Sequence, residues 1–240
     1  MFTGIVQGMG TIKSVRDAGG IRTFEIGFPA GFAVDLQIGA SVAVDGVCLT
    51  VTELINANSA SFDVMLQSLR ITTLGELVAG SRVNVERAAK DGAEIGGHPL
   101  SGHVDFCATI LEVNQYEENC CLKIGVPSDW MRYIFAKGYI ALDGASLTVA
   151  DVNKEAGWFE VWLIPETRRM TVFGEKGAGA RINVEIERAT QVVVDTVRAA
   201  LDEKLGALLP VLESVLAKGG FDLNALVSPD AVQPKQQRLK

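Results

Sequence analysis

The sequence predicts an all-β chain in which one fold is used twice, followed by an amphipathic helix. Three observations predict it. The octapeptide Val44-Asp45-Gly46-Val47-Cys48-Leu49-Thr50-Val51 returns as Leu142-Asp143-Gly144-Ala145-Ser146-Leu147-Thr148-Val149, with five of eight positions identical. Short alternating stretches separated by turn residues surround both copies, the pattern of a barrel or sandwich. After Arg188 the apolar period changes to three and four.

The repeat extends well past the octapeptide. At an offset of 98, Thr3-Gly4-Ile5-Val6 answers Ser101-Gly102-His103-Val104. At an offset of 99, Gly80-Ser81-Arg82-Val83-Asn84-Val85-Glu86 answers Gly179-Ala180-Arg181-Ile182-Asn183-Val184-Glu185. A unit of roughly 95 residues is the size of a domain rather than of a solenoid repeat.

In the first half, Ile5 to Val15 alternates loosely and Gly19-Gly20 is a turn. Arg22 to Phe28 alternates polar and apolar, as a half-buried strand does. Ala40 to Val44 and Cys48 to Leu54 flank Asp45-Gly46, a dipeptide suited to a tight hairpin. Ser61 to Met65 is a further strand, Ser68 to Leu77 holds a helical turn, and Arg82 to Glu86 ends the half. The second half repeats the plan and adds a short helix that Ser128 caps. Val194, Val197, Leu201, Leu205 and Leu208 form the stripe of an amphipathic helix with Thr190 as its cap. Pro210 kinks or ends that helix, Val211 to Ala217 extends it, and a disordered tail follows. The expected domains are 1–97, 98–188, a helical segment 189–218 and a tail 219–240.

A formal net charge of −7 without a basic run argues against a nucleic-acid partner. No apolar window is long enough for a transmembrane helix. The opening residues lack the charged and apolar regions of a signal peptide. The four cysteines, Cys48, Cys107, Cys120 and Cys121, show no C-x-x-C spacing and read as reduced thiols of a cytoplasmic protein. His98 and His103 are too few for a zinc site. No dinucleotide fingerprint or P-loop is present.

Met1-Phe2-Thr3-Gly4-Ile5-Val6, Gly46-Val47-Cys48-Leu49-Thr50-Val51, Glu94-Ile95-Gly96-Gly97-His98 with Ser101-Gly102-His103, Asp143 to Val149, Leu163-Ile164-Pro165-Glu166-Thr167 and Thr190 to Val197 together resemble riboflavin synthase. The resemblance covers about residues 1–205. It implies two six-stranded Greek-key barrels with lumazine-binding sites and a homotrimer held by C-terminal helices. It also implies that two molecules of 6,7-dimethyl-8-ribityllumazine exchange a four-carbon unit. The products are riboflavin and 5-amino-6-(D-ribitylamino)uracil, with no metal and no cofactor. A fluorescent, non-catalytic lumazine- or flavin-binding antenna protein is the alternative in the same fold.

Positions shared by both halves serve fold or ligand holding, and positions that differ carry the asymmetry of donor and acceptor. Gly4 and Gly102 leave room for a flat ring, Thr50 and Thr148 offer hydroxyls, and Leu49 and Leu147 offer apolar walls. Asp45 and Asp143 read as turn residues, and Asn84, Glu86, Asn183 and Glu185 as structural. Among unlike pairs, His103 stands opposite Ile5, Cys48 opposite Ser146, Ser41 opposite Tyr139 and Lys137 opposite Gly39. His103 is the natural proton carrier near neutral pH. Cys48 is a nucleophile or a small buried thiol, and Lys137 steadies an anionic ring or is a solvated lysine.

The chemistry requires a base for the C7 methyl of one lumazine and a nucleophile at C7 of the other. The resemblance implies catalytic roles for His103, Ser146 and Thr148 around one ring, and for Ser41 and Cys48 around the other, where Thr50 binds substrate. It implies that the rings meet between the N-barrel of one subunit and the C-barrel of its neighbour, with Phe2 near that seam. It assigns substrate contacts to Ile5, Val6 and Val104, and to Asp63, Val64, Met65, Leu66, Gln67 and Ser68 in the first half. Their second-half equivalents are Trp162, Leu163, Ile164, Pro165, Glu166 and Thr167. Gln67-Ser68 departs from the Glu-Thr that the family often carries for the ribityl chain. Glu187 stands where the family pattern leads one to expect Asp.

Overall fold

The computed structural model describes residues 1–206 and 208–218. Residues 1–191 form one compact unit containing both barrels, and the chain from Val192 onward forms another.

The first barrel consists of β1 (Gly8–Ala18), β2 (Ile21–Gly27), β3 (Ser41–Val44), β4 (Val47–Asn56), β5 (Ser59–Met65) and β6 (Arg82–Arg87). The second consists of β7 (Phe106–Tyr116), β8 (Asn119–Gly125), β9 (Tyr139–Leu142), β10 (Ala145–Asn153), β11 (Trp158–Leu163) and β12 (Arg181–Ile186). Each sheet closes on itself, in the order β1-β2-β5-β4-β3-β6 and the equivalent β7-β8-β11-β10-β9-β12. The expected pair of six-stranded Greek-key barrels is therefore present. Register shifts fall at matching places, between Ile12 and Ser14 and again between Ile110 and Glu112. They recur between Val51 and Glu53 and between Val149 and Asp151. Such bulges bend a strand and help so small a sheet to close.

The alternation in sequence becomes inside and outside. Ile12, Phe24, Ile26 and Phe62 fill the first barrel, and Ile110, Leu122, Ile124 and Phe159 fill the second, all fully buried. Each contributes roughly 1.5–3 kcal/mol of apolar burial. Asp45-Gly46 and Asp143-Gly144 adopt positive φ at both residues, +45° and +79° in the first turn and +42° and +80° in the second. This is the type I′ geometry that joins antiparallel strands most tightly.

The two turns meet between the barrels. A Cβ on Gly46 would lie 2.6 Å from the Gly144 nitrogen, and one on Gly144 would lie 2.9 Å from Gly46. Asn84 Nδ2 donates to the Asp143 carbonyl at 3.0 Å, and Asn183 Nδ2 donates to the Asp45 carbonyl at 2.9 Å. Each asparagine oxygen accepts a backbone N–H from the far half, Val172 onto Asn84 and Thr73 onto Asn183, both at 2.8 Å. Asp45 and Asp143 in turn accept the backbone N–H groups of Asn84 and Asn183 through their side chains. The two turn aspartates and the two asparagines read as structural form a reciprocal clasp, and it satisfies polar groups that have no access to water.

Four local expectations are corrected. Helix α1 (Leu66–Ile71) starts before Ser68, and a 3₁₀ turn, Thr73–Glu76, follows it. Its counterpart α2 (Pro165–Met170) carries proline in its first turn, where no N–H is needed. Ser128 does not cap a helix: it is the first residue of a 3₁₀ turn, and Pro127 before it provides no side-chain cap. Thr190 is not a cap either, because α3 (Arg188–Gly206) begins two residues earlier and the Thr190 hydroxyl donates to Glu187. Pro210 opens α4 (Leu209–Lys218) rather than ending α3. The expected disordered tail, 219–240, lies outside the described residues.

One lysine serves the two carboxyls of the clasp. Lys176 pairs with the fully buried Asp143 at 2.6 Å. Burial and then the Asp143 charge push the Asp45 carboxyl well above the usual carboxylate range, against Lys176 and the Asn84 N–H. The folded protein thus holds the Asp45 proton more tightly than the unfolded chain. That contribution is complete below the unfolded value and is lost as pH rises through the folded one. Asp45→Asn, which tolerates positive φ and keeps the acceptor, is expected to stabilise the protein by about 1–2 kcal/mol at high pH and by little in acid. Asp143→Asn, which strands a half-buried lysine, is expected to destabilise it by about 3 kcal/mol at neutral pH. Chemical unfolding across the pH range checks both, and equal effects of the two variants would refute the one-lysine account.

Candidate active site

The strand registers bring the polar candidates into two matching rows on the outer barrel faces. In the first barrel Ser41 pairs with Thr50 and Ala43 with Cys48. Val51 pairs with Phe62, so Thr50 stands beside Asp63, which accepts the Thr23 hydroxyl at 2.7 Å. In the second barrel Tyr139 pairs with Thr148 and Ala141 with Ser146. Val149 pairs with Val161, which sets Thr148 beside Trp162. The rows have one geometry and different chemistry: Ser41, Thr50 and Asp63 against Tyr139, Thr148 and Trp162. Trp162, 47% exposed, packs at a tilt of 31° against Tyr116 with centroids 5.0 Å apart.

Alternation also sorts out candidates that do not face a ligand. Leu49, Val64, Val104, Leu147 and Leu163 are buried, mostly within the barrels, so only their backbones are available at the rows. Met65, Leu66, Gln67, Ile164, Pro165 and Glu166 are exposed where each β-strand gives way to its short helix. Glu166 is not free: its carboxylate takes both Arg169 nitrogens, at 2.6 and 2.9 Å, which lowers its pKa. Lys137 is exposed and holds φ of +67°, where the first half has Gly39. An unforced left-handed lysine costs energy, and such strain accumulates at functional positions.

The segments that precede β1 and β7 cross between barrels. Glu86 accepts the Thr3 and Gly4 N–H groups at 2.6 and 3.1 Å, while the Gly4 carbonyl accepts the Ser146 N–H at 2.8 Å. Glu185 accepts the Ser101 and Gly102 N–H groups at 2.7 and 3.0 Å, while the Gly102 carbonyl accepts the Cys48 N–H at 2.8 Å. Burial raises both glutamate pKa values, against these hydrogen bonds. The room at Gly4 and Gly102 is therefore already filled: an added Cβ would lie 2.5 Å from Ser146 Cβ and 2.6 Å from Cys48 Cβ. A ring does not take that space, because the opposite strand does.

This crossing regroups the candidates. His103 follows the glycine bonded to Cys48, and Ile5 follows the glycine bonded to Ser146. The expectation of His103 with Ser146 and Thr148 is reversed within one chain. Phe2 is 1% exposed, bridged to Leu100 and packed with Ala43 and Ala141, so it belongs to the core between the barrels rather than to an open seam. On the C-barrel side a pocket of 340 Å³ is lined by Gly4, Ile5, Val6, Ser146, Glu166 and Thr167, together with Ala145, Met170 and Thr171. Three stretches of chain, around Gly4, Ser146 and Thr167, thus border one pocket.

The residue that sequence reasoning missed is His98, set aside there as half of an inadequate zinc pair. Its Nδ1 is 2.6 Å from Ser146 Oγ. The signal in the sequence was its place in the Glu94-Ile95-Gly96-Gly97-His98 stretch, which carries part of the resemblance. Cys107 and Cys121 are not candidates, since burial pushes each thiol up to about 11.

The lumazine binding domain family matches residues 3–88 and 101–187. Over 209 residues the chain is 47% identical to riboflavin synthase of Escherichia coli, covering 87% of this chain and 97% of that protein. It is 42% identical to riboflavin synthase of Chlamydia pneumoniae over 84% of this chain and 97% of that protein. Against Mycobacterium bovis riboflavin synthase the identity is 40%, over 83% and 100%. The crystal structure of LumP complexed with riboflavin superposes with a TM-score of 0.72 at 27% identity, covering 78% of this chain and all of that one. LumP complexed with 6,7-dimethyl-8-(1'-D-ribityl) lumazine gives 0.71 at 26%, with the same coverage.

The crossed segments carry a direct prediction. Gly4→Ala and Gly102→Ala are each expected to cost about 2–3 kcal/mol, from overpacking and from the left-handed backbone. Urea unfolding measures this, and a loss at only one of the two positions would contradict the equivalence of the crossings.

Proposed function

The chain belongs to the riboflavin synthase family, built from two lumazine-binding domains, and from that premise we propose how its two barrels share one reaction. It is an enzyme, a transferase that dismutates two molecules of 6,7-dimethyl-8-ribityllumazine. The four-carbon exchange yields riboflavin and 5-amino-6-(D-ribitylamino)uracil. The observation that carries the division of labour is the pair of like barrels with unlike polar rows. Two identical substrates can take different roles only if their sites differ, and these sites differ at Cys48 and Ser146, Ser41 and Tyr139, and Asp63 and Trp162.

Each barrel holds one lumazine at its rim. The N-barrel site uses Ser41, Cys48, Thr50 and Asp63, with His103 delivered by the crossing segment. The C-barrel site uses Ser146, Thr148, Trp162, Ile164 and Thr167, with Ile5 and Val6 delivered by the other crossing. Lys137 steadies ring charge. Holding two rings face to face supplies rate by proximity, since a bimolecular encounter becomes a positioned one. His103 is the proton carrier of the set, the one imidazole that the crossing segment brings to the row. Gln67-Ser68 holds the ribityl chain less firmly than Glu166-Thr167, even though Arg169 shares the Glu166 carboxylate. The family likeness to LumP supports a second reading, flavin binding without turnover. The 47% identity to a riboflavin synthase, against 27% to LumP, favours the enzyme.

The rings meet across two subunits of a homotrimer, and the protein works in the cytoplasm. Exposed Val197, Leu201 and Leu205 on one stripe of α3 support assembly. The four free cysteines support a reducing compartment, and no described helix is long and apolar enough to cross a membrane.

Purified protein is expected to convert 6,7-dimethyl-8-ribityllumazine to riboflavin without added nucleotide or metal. A folded protein that yields only a bound fluorophore and no product would support the antenna reading instead. Placing Asp at both Val197 and Leu201 is expected to shift the solution mass from trimer toward monomer, because each buried aliphatic side chain is worth roughly 1.5–3 kcal/mol. An unchanged mass by light scattering would rule α3 out as the assembly element.

A further inference from the structure

His98 lies behind Ser146, a residue of the C-barrel pocket wall, without being part of either polar row. It lies in the connection between the barrels, immediately after Gly96-Gly97. Gly97 has no room for a side chain: an added Cβ would lie 2.6 Å from Ser146 Cβ and against the Thr3 carbonyl. The glycine pair brings the connection down onto Ser146, and the imidazole follows it in. The ring is 2% exposed and stacks on Tyr139, with centroids 5.1 Å apart and planes 17° from parallel. Nδ1 reaches Ser146 Oγ at 2.6 Å, while Nε2 is buried without a hydrogen-bond partner among the described residues.

A buried polar ring with one unmet nitrogen is costly. An apolar residue of the same shape would pack against Tyr139 without that cost, so the Ser146 contact is the physical gain from having histidine there. The Ser146 backbone N–H is already committed to the Gly4 carbonyl. Among the described residues its hydroxyl pairs with His98 Nδ1 alone.

We propose that His98 is a positioning residue for Ser146: its Nδ1 accepts the serine's own proton and leaves the Oγ lone pairs turned into the C-barrel pocket. The C-barrel lumazine then meets a fixed oxygen acceptor where the N-barrel lumazine meets the Cys48 thiol. This inference rests on the lumazine reaction assigned above and adds to it a source of asymmetry outside the two rows. Neutral imidazole is required, because a protonated ring cannot accept at Nδ1. The surroundings favour it: burial lowers the His98 pKa, and the Glu187 carboxylate opposes that only in part. The stacked Tyr139 is the other titratable group against the ring.

Two variants of the full chain separate positioning from packing, with 6,7-dimethyl-8-ribityllumazine as the probe. His98→Phe keeps the stack on Tyr139 and removes the hydrogen bond. His98→Asn keeps an amide near the Nδ1 position and removes the titration. The expected result is a kcat about 10- to 100-fold lower in His98→Phe with KM within about twofold, substantial recovery of kcat in His98→Asn, and loss there of the acid limb of the pH profile. A His98→Phe enzyme with kcat within about twofold of the parent overturns the proposal, as does a change confined to KM.

If His98→Phe does not fold, Ser146→Ala is compared with Ser146→Ala/His98→Asn. Equal kcat supports action through Ser146, and a further fall overturns it. A parent protein that makes no riboflavin defeats the reaction itself rather than the pairing. In that case the ¹⁵N shift of His98 Nδ1 reads the hydrogen bond alone. A shift that moves on Ser146→Ala supports the pairing, and one that does not move overturns it.

Discussion

The rest of the structure depends on the reciprocal clasp of Asn84 and Asn183 onto the two Asp-Gly turns. Two closed barrels expose no strand edges and have no inherent way to register on one another. The clasp provides one, because each asparagine satisfies a turn carbonyl and a backbone N–H of the opposite half. The turns must approach to glycine distance for those bonds to form. Cys48 and Ser146 stand two residues past the glycines, so the geometry of the clasp is inherited by the candidate site with no flexible link between.

Duplication explains the fold, and departures from it explain the chemistry. The bulges, the left-handed turns and the glutamate anchors of the crossing segments occur in both halves. Lys176, Trp162 and Lys137 stand opposite unlike residues in the first half, and His98 lies in the connection between the barrels. Each of these is attached to a shared position: Lys176 to the Asp143 carboxylate, His98 to the Ser146 hydroxyl, Trp162 beside Thr148, and Lys137 at the bend that bonds to Val149. A symmetric frame thus tolerates asymmetric side chains, because the backbone bonds that hold it do not run through them.

The crossing segments give the arrangement its coupling. Gly4 is anchored to Glu86 of the first barrel and bonded to Ser146 of the second, and Gly102 is held the reverse way. Each crossing segment is thus held by one barrel and bonded to the other.

The sequence by itself determined the duplication, the strand periods, the tight Asp-Gly turns, the structural nature of Asn84 and Asn183 and the family. These are legible because they are local: a period of two, a positive-φ dipeptide or an aligned motif needs no knowledge of what lies across the chain. The tertiary structure alone decided that Gly4 and Gly102 make room for a strand, and that Phe2 is core. It alone decided that the Gly102 carbonyl meets the Cys48 N–H and that His98 reaches Ser146. Each of those facts joins residues from opposite halves, through backbone hydrogen bonds that carry no side-chain signature. Helix starts fell between the two: Ser128 and Thr190 have the chemistry of caps, but the strand ends and the Pro127 backbone had already placed the first turn.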